Sequence, residues 1–200
     1  VADLCEEALF AIGGNMLLAR TGAMYHDVGK LKNPLFFTEN QHGKYNMHNE
    51  MSYYESSQII INHVLDGIEI CRKYHIPEQV IDFARTHHGT RRTEYFYQME
   101  LKENPDVEIN EADFRYHGPI PFSKETAVLM MADSVEAASR SLQDKTEETI
   151  SKLVDGIIDA QMNDNQFVNT DLTFRDITTI KKVFKKKLMN MHHVRIAYPV

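Results

Sequence analysis

Met24-Tyr25-His26-Asp27-Val28-Gly29-Lys30 is the most informative stretch of the chain, because it ends a predicted helix with a histidine and an aspartate side by side. The apolar residues before the pair recur at helical spacing, and Asn15 is the predicted cap at the start of that helix. Imidazole and carboxylate groups bind borderline divalent metals such as Mn, Fe and Zn. The stretch therefore predicts metal ligands at a helix end, where side chains can converge on a cleft.

The sequence outward from this pair is helical almost throughout, without an alternating strand pattern of useful length. Capping residues and glycines indicate where the helices end. The first helix ends at Gly13-Gly14, the second lies between Asn15 and Gly29, the third begins at Ser52 with Glu55, and the fourth lies between Pro77 and Gly89. Four further helices are predicted: residues 93–103, a helix that begins at Ser123, residues 146–163 and residues 173–191. Residues 31–51 form a long predicted loop. The sequence predicts an all-α helical bundle with a metal site in a central cleft, as a single domain over residues 1–200.

Three further positions carry metal-binding side chains. His63 lies among apolar residues of the third helix, His87-His88 end the fourth, and Asp133 interrupts an apolar run from Leu129 to Val135. A lone buried histidine is more often a satisfied core residue, but two adjacent imidazoles both need partners if they are buried. A carboxylate in an apolar run needs a metal, an ion pair or a helix cap to compensate its charge. Together with the first pair, these residues can form a site for two metals about 4 Å apart, which can cleave a phosphodiester.

The composition excludes several classes of protein. With 42% apolar residues, six Pro and nine Gly, the 200-residue chain can form a core and is not disordered. A net charge of −7 argues against a DNA- or RNA-binding surface, because such surfaces are basic. A small anionic nucleotide is still compatible, since metals supply positive charge locally. Cys5 and Cys71 are too few for a disulfide framework and favour a reducing compartment.

In order along the chain, His26-Asp27, His63, His87-His88 and Asp133 resemble the metal-binding motif of the HD-domain metal-dependent phosphohydrolases. Longer stretches resemble more narrowly the cytoplasmic HD domain of bacterial seven-transmembrane HD proteins, the PgpH-type cyclic-di-AMP phosphodiesterases. These stretches are Tyr25-His26-Asp27-Val28-Gly29-Lys30, Phe36-Phe37-Thr38-Glu39-Asn40-Gln41, His87-His88-Gly89-Thr90, Phe114-Arg115-Tyr116-His117-Gly118-Pro119-Ile120-Pro121 and the segment from Lys124 to Ala137. The resemblance covers nearly the whole chain. It implies an enzyme that hydrolyses cyclic di-AMP to linear pApA by attack of a hydroxide bound to two metals, which are expected to be Mn or Fe.

The resemblance also implies a role for each ligand, with Asp27 bridging both metals. The expected ligands are His26, Asp27 and Asp133 for one metal, and Asp27, His63, His87 and His88 for the other. Family members have one further metal-binding histidine on the first helix, which here would fall just upstream of Val1. We therefore interpret the chain as an N-terminally truncated part of a longer protein. That protein is expected to span the inner or plasma membrane, with this chain as its cytoplasmic domain, and a homodimer is compatible with the sequence.

Several residues are candidates for contact with the substrate. Lys30 lies one turn from the metal pair and is the predicted catalytic contact to phosphate, and Arg115 and Tyr116 lie on a loop expected to approach the nucleotide. The aromatic side chains at 95–97 are candidates for stacking on adenine, although core packing is the expected role of at least two of them. His48 is interpreted as a loop or exposed histidine. The choice of adenine over guanine rests on the resemblance alone.

Two other functions remain open at this stage. One is another HD phosphohydrolase that acts on cyclic di-GMP, a guanosine alarmone or a deoxynucleotide. Against cyclic di-GMP, Gly89-Thr90-Arg91-Arg92 follows the histidine pair where enzymes of that class carry an acidic residue and then a Gly-Tyr-Pro element. The other is a catalytically degenerate domain that binds a nucleotide and signals. A helical bundle without a ligand would leave Asp133 and the histidine pair unexplained.

Overall fold

The structure is a computed structural model that describes residues 1–41 and 46–192, and this part of the chain is almost entirely helical. The α-helices are α1 (Ala2–Ile12), α2 (Met16–Tyr25), α3 (Tyr53–Lys73), α4 (Glu78–Thr86), α5 (Glu94–Glu103), α6 (Lys124–Arg140), α7 (Glu147–Asn163) and α8 (Phe174–His192). Short 3-10 helices span Val28–Lys32, Pro34–Phe36, Thr38–Asn40, Met47–Glu50 and Glu111–Phe114. The β-structure of the described residues is limited to an isolated antiparallel bridge between Arg92 and Arg115. The predicted all-α fold is confirmed.

The chain forms two compact units, which are described separately. The first unit contains residues 1–20 and the chain from Phe122 onward. In it α1 packs against α6 and α8, while α7 packs against the same two helices. The seven consecutive α6 residues from Thr126 to Ala132 are all buried, because after Thr126 this stretch is apolar around the whole helix.

The second unit contains Thr21–Pro121 and is organised around α3. The 3-10 helix Val28–Lys32, α4, α5 and the segment Glu111–Phe114 all pack against α3. Five of the six residues predicted as metal ligands belong to this unit, and Asp133 belongs to the first. The interpretation of residues 1–200 as one domain stays a prediction.

Side-chain caps begin the helices at the predicted positions. Ser52 and Glu55 form the predicted capping box before α3, and Ser123 forms a second one with Thr126 before α6. Asn15 accepts a hydrogen bond from the backbone N–H of Leu18 at 3.0 Å. These caps satisfy N–H groups that have no partner within the helix, and that is why the sequence locates the helix starts well.

Two predicted helix ends were wrong, and both lie beside candidate ligands. The helix before the first His-Asp pair ends at Tyr25, and Gly29 lies inside the following 3-10 helix instead of capping α2. Helix α4 ends at Thr86, so His87 and His88 lie in the turn that precedes Gly89, whose φ is +52°. Both pairs therefore occupy irregular backbone directly after a helix, which allows adjacent side chains to point the same way.

The predicted loop over residues 31–51 carries three short 3-10 helices and the end of a fourth among its described residues, and positions 42–45 lie outside the description. The α-helices of residues 1–41 and 46–192 are all too short or too polar to cross a membrane.

Candidate metal centre

Asp27 lies at the centre of the candidate site, with a different set of partners at each carboxylate oxygen. Its Oδ1 is 3.5 Å from His63 Nε2 and 3.6 Å from His87 Nε2. Its Oδ2 is 3.3 Å from His26 Nε2 and 2.8 Å from Lys30 Nζ. One oxygen thus faces two imidazoles and the other faces one, and imidazoles at both oxygens are the arrangement expected of a carboxylate that bridges two cations.

Three of the histidines share the same hydrogen bond on the far side of the ring. Nδ1 of His26 lies 2.9 Å from the carbonyl of Ala23, and Nδ1 of His87 lies 2.8 Å from that of Ala84. His63 Nδ1 makes the equivalent contact with the carbonyl of Ile60. Since a carbonyl only accepts, Nδ1 carries the hydrogen and donates, and Nε2 is left to bind a cation. His26 and His87 directly follow the ends of α2 and α4, and His63 lies in the middle of α3, but in all three cases the carbonyl three residues earlier selects the same tautomer.

His88 completes a cluster of three imidazoles. One ring nitrogen from each of His63, His87 and His88 lies within 4.8 Å of the others, close enough to bind a common metal ion. The ring of His88 stacks on Tyr116 with 4.2 Å between centroids and 17° between planes. Tyr116 in turn packs with Ile61 and Val64 of α3. The hydrophobic core of this unit therefore holds the third imidazole in place.

The donor set fits a divalent metal. The Nε2 atoms of His63 and His87 are 3.1 Å apart, and with the hydrogen on Nδ1 both present lone pairs to the same space as the Asp27 carboxylate. A cation placed there would remove the repulsion between these lone pairs. Two nitrogens that bind one metal at about 2.1 Å with a right angle between them are about 3 Å apart, which agrees with the observed separation.

The pKa shifts agree with this fit. Burial, together with the charges of neighbouring histidines, lowers the pKa of His87 and lowers that of His88 well below its ordinary value, so both rings favour the neutral form that binds metal. Burial alone would raise the pKa of the Asp27 carboxyl. The contacts with His63 and His87 outweigh burial and hold that pKa far below its usual range, as a bound cation at the same place also would.

Lys30 is held between two carboxylates. Its Nζ lies 2.8 Å from Asp27 Oδ2 and 2.6 Å from Glu39 Oε1, and 5.1 Å above the centre of the Phe37 ring. Burial alone would lower the pKa of Lys30, but the charge of Asp27 and these hydrogen bonds raise it, so the ammonium is charged. A fixed positive charge beside the central carboxylate is suited to contact an anionic substrate.

Asp133 is half-buried on α6, in the first unit. The side chain of Gln161 on α7 donates to the carbonyl of Met130 at 3.3 Å and to Ser134 Oγ at 2.9 Å, which fixes the helix on either side of Asp133. Its assignment as a ligand beside His26 stays a prediction.

The two loop residues predicted to contact substrate make structural contacts. Arg115 binds Glu111 through Nη2 at 2.6 Å and donates through Nη1 to the carbonyl of Thr90 at 2.9 Å. Tyr116 is buried, and its ring stacks on the imidazole of His88 and holds it in position. Direct contact of either residue with a nucleotide stays a prediction.

The sequence analysis overlooked two participants. Glu39 pairs with Lys30 and Phe37 lies against His63, with 5.6 Å between ring centroids. Both belong to the stretch Phe36–Gln41 that carried the resemblance, but no local spacing connects them to Lys30 or His63. His48, interpreted as a loop or exposed histidine, is half-buried in the segment before α3, and its ring contacts Phe36 and Phe96.

Comparison with known proteins agrees with this geometry. The sequence profile of the HD domain matches residues 1–138. The cyclic-di-AMP phosphodiesterase PgpH of Bacillus subtilis (strain 168) is 47% identical over 199 residues, which cover 100% of this chain and 28% of that protein. PgpH of Listeria monocytogenes serotype 1/2a (strain 10403S) is 43% identical over 199 residues, which cover 100% of this chain and 27% of that protein. The chain therefore spans little more than a quarter of the length of these relatives.

A solved structure is similar over nearly the entire chain. The crystal structure of the L. monocytogenes phosphodiesterase PgpH HD domain in complex with cyclic di-AMP has a TM-score of 0.92 and 42% identity, and the match covers 98% of this chain and 90% of that one. A second crystal structure of that HD domain has a TM-score of 0.90 and 41% identity, and it covers 96% of this chain and 89% of that one. The chain belongs to the HD domain family, among HD domains of the PgpH type.

Proposed function

We propose that this chain is the HD domain of a metal-dependent phosphodiesterase that hydrolyses cyclic di-AMP to linear pApA. The observation that carries the proposal is the position of Asp27, with Oδ1 toward His63 and His87 and Oδ2 toward His26 and Lys30. A carboxylate shared by two sets of imidazoles is suited to two divalent cations, and two-metal sites cleave phosphodiesters.

The ligands of the two cations follow the sequence prediction. His63, His87 and His88 would hold one cation, His26 and Asp133 would contribute to the other, and Asp27 would bridge them. Nitrogen and carboxylate donors without a thiolate are compatible with Mn or Fe, which are our proposed metals. When bound, the cations supply an acidified water and polarise the phosphoryl oxygens.

The residues of the chain orient the reaction and balance its charges. Water adds to phosphorus, the P–O3′ bond breaks, and the departing oxygen takes a proton, which leaves a 5′-phosphate on pApA. Lys30 would contact the phosphate oxygens, where negative charge develops in the transition state. Glu39 holds Lys30 at 2.6 Å and keeps its ammonium in place before the substrate arrives.

The names of the relatives support adenine as the base. PgpH of B. subtilis is described as a cyclic-di-AMP phosphodiesterase, and the L. monocytogenes HD domain was crystallised with cyclic di-AMP. We further propose that the chain is the cytoplasmic part of a longer membrane protein, as the resemblance to seven-transmembrane HD proteins implies.

The direct test is hydrolysis of cyclic di-AMP beside cyclic di-GMP, with added Mn, by the chain extended upstream to include the expected further histidine, together with an Asp27→Asn variant. We expect pApA from cyclic di-AMP, little turnover of cyclic di-GMP, and loss of activity in the variant by at least a thousandfold. Metal binding without turnover of either nucleotide would favour the degenerate sensor instead. Faster turnover of cyclic di-GMP would keep the site and contradict the substrate.

A further inference from the structure

Gln161 occupies a core position of α7 where the pattern of the helix favours an apolar residue. The buried residues of α7 are Ile150, Val154, Ile158 and Gln161, which recur at helical spacing along one side. The exposed fraction of Gln161 is 0%. A buried amide needs hydrogen-bond partners for its NH₂ group and for its oxygen, whereas an apolar side chain at the same position needs none. Hydrophobic packing therefore does not account for a glutamine here.

The amide of Gln161 crosses from α7 to α6 and contacts two residues that lie one helical turn apart. Its Nε2 donates to the carbonyl of Met130 at 3.3 Å and to Ser134 Oγ at 2.9 Å. Residues four positions apart lie on the same side of a helix, so a single NH₂ group contacts both ends of one turn of α6. The carbonyl also fixes which way the amide points, because it accepts hydrogen bonds and would repel the amide oxygen.

The oxygen of the same amide is buried without a hydrogen bond. Gln161 Oε1 is shielded from solvent and has no partner within residues 1–41 and 46–192. A buried acceptor without a partner costs free energy, and this cost offsets much of what the two hydrogen bonds from Nε2 contribute. Gln161 thus adds little net stability to the packing of α7 on α6, and the main effect of its hydrogen bonds is to fix the orientation of α6.

The turn of α6 that Gln161 contacts carries Asp133, which directly precedes Ser134 and lies three residues after Met130. The radius of an α-helix with its side chains is about 5–6 Å, so a rotation of about 10° around the helix axis moves the tip of a side chain by about 1 Å. The distance from a metal to its ligand tolerates a change of only about 0.2 Å. A small rotation of α6 would therefore take the Asp133 carboxylate out of reach of a cation.

We infer that Gln161 is a positioning residue, which holds this turn of α6 in the orientation that lets Asp133 bind its cation. The inference rests on the proposed function for the assignment of Asp133 as a ligand, and it adds the residue that orients this ligand. Gln161 touches neither the substrate nor a cation in this role and acts only through Asp133. Removing a residue that orients a metal ligand lowers metal affinity by about 10–100-fold.

The test is a calorimetric titration with Mn of the chain extended upstream to include the expected further histidine. The native protein should bind two ions, and Gln161→Met should weaken one of them by about 10–100-fold while the other stays within about twofold. Methionine is similar to glutamine in length and volume, so the Tm of the metal-free variant should lie within about 3 °C of the native value or above it. Native affinity for both ions would overturn the inference. Equal weakening of both ions together with a lower Tm would also overturn it, because that result indicates a structural role.

Gln166 provides the matched control, because it is a second buried glutamine of the same unit. Its exposed fraction is 1%, and its Nε2 donates to the carbonyl of Asp164 at 3.0 Å and to Asp164 Oδ2 at 3.2 Å, within the turn that follows α7. Gln166→Met should leave the affinity for each ion within about twofold. Equal effects of the two changes would overturn the inference, since the loss of either buried amide would then be sufficient.

Ser134→Ala keeps the test decisive if Gln161→Met fails to fold. This change removes the acceptor at 2.9 Å and leaves the carbonyl of Met130 in place. It should weaken the same ion by about threefold or more, the effect of losing one hydrogen bond of about 1 kcal/mol. Native affinity for both ions in Ser134→Ala would overturn the inference.

Asp133→Asn separates the inference from the proposed function. This variant should lose one ion, and the addition of Gln161→Met should weaken Mn binding no further, because Gln161 acts only through Asp133. A further loss in the double variant would overturn the inference. If Asp133→Asn loses an ion but Gln161→Met does not weaken one, the ligand assignment stands and the inference is wrong. If Asp133→Asn binds both ions with native affinity, the ligand assignment of the proposed function is wrong, and the inference is wrong with it.

Discussion

At the scale of single residues, the candidate metal centre depends on the charge of the Asp27 carboxylate and on the orientation of the imidazoles around it. The carboxylate contacts His63 and His87 through one oxygen and His26 through the other, and the carbonyls of Ala23 and Ala84 orient two of the rings around it. An asparagine has nearly the same shape, but it replaces one oxygen with a donor that repels a cation. The charge of this one side chain therefore matters more than its volume.

Lys30 and Lys32 allow a matched test of the fixed ammonium. Lys30→Gln should lower kcat for cyclic di-AMP by about 10–100-fold, because it removes a charge placed where negative charge develops. Lys32 forms ion pairs with Asp66 at 2.8 Å and with Glu69 at 2.6 Å on the surface. Lys32→Gln should leave kcat within about twofold. Equal losses in steady-state assays of the two variants would contradict a role for Lys30 in the reaction.

The burial of His87 and His88 determines how the stability of the metal-free chain should depend on pH. Burial holds the folded pKa of each below the unfolded value of about 6.5, so the unfolded state binds more protons below that pH. The contribution to stability is present above about pH 6.5 and is lost as the pH falls toward the folded pKa. Urea unfolding with EDTA should show a free energy of unfolding that falls from pH 7.5 to 5.5, by up to about 1.4 kcal/mol per pH unit for each group.

Replacing a buried and an exposed histidine by asparagine tests whether burial causes this pH dependence of stability. His88→Asn should have a shallower pH dependence than the native chain. His75→Asn should keep the native slope, because His75 is exposed and its φ of +56° is one that asparagine tolerates. Identical slopes for all three proteins would show that burial of His88 does not control the dependence.

At the scale of elements, Gly29 determines how closely the segment after α2 approaches α3. A Cβ at position 29 would lie 1.8 Å from the carbonyl oxygen of His63 and 2.5 Å from the backbone N of Gly67. Both obstacles are backbone atoms, so a side chain at 29 could fit only if the two elements moved apart. Their close approach brings Asp27 to His63.

Gly29→Ala should therefore separate the ligands. We expect a loss of about 1–3 kcal/mol in the free energy of unfolding, typical of overpacking, and weaker binding of Mn. Gly156→Ala is the control within a helix, since a Cβ there meets no atom within 4 Å. That change should stabilise α7 by about 0.5–1 kcal/mol and leave Mn binding unchanged. Native Mn affinity in Gly29→Ala would show that this contact does not position the site.

At the scale of the whole molecule, the imidazoles and Asp27 are held together by folding, so metal and stability should be coupled. An ion that binds only the folded state stabilises it by about 2.7 kcal/mol at a concentration of 100 times Kd. Mn should raise Tm by several degrees, EDTA should reverse the rise, and His63→Ala should reduce it strongly. A Tm that does not respond to Mn, Fe or Zn would contradict a metal centre.

The sequence predicted the residue types of the candidate site, but only some of the contacts between those residues. The resemblance implied His63, His87 and His88 as one ligand set; the three lie together, and His63 and His87 face Asp27. Glu39 and Phe37 were missed, since their contacts with Lys30 and His63 depend on how a loop folds back. The roles of Asp133, Arg115 and Tyr116 toward metal or substrate stay predictions.

The sequence by itself determined the helical class, the helix starts at Asn15, Ser52 and Ser123, and the chemical identity of the candidate ligands. These properties depend on periodicity and on hydrogen bonds between residues a few positions apart. Only the tertiary structure decided which imidazole tautomers face Asp27, that Lys30 lies between two carboxylates, and that Gln161 on α7 binds the turn of α6 that carries Asp133. Such properties depend on contacts between residues distant in sequence, such as the approach of Gly29 to His63, which no local pattern of residues records.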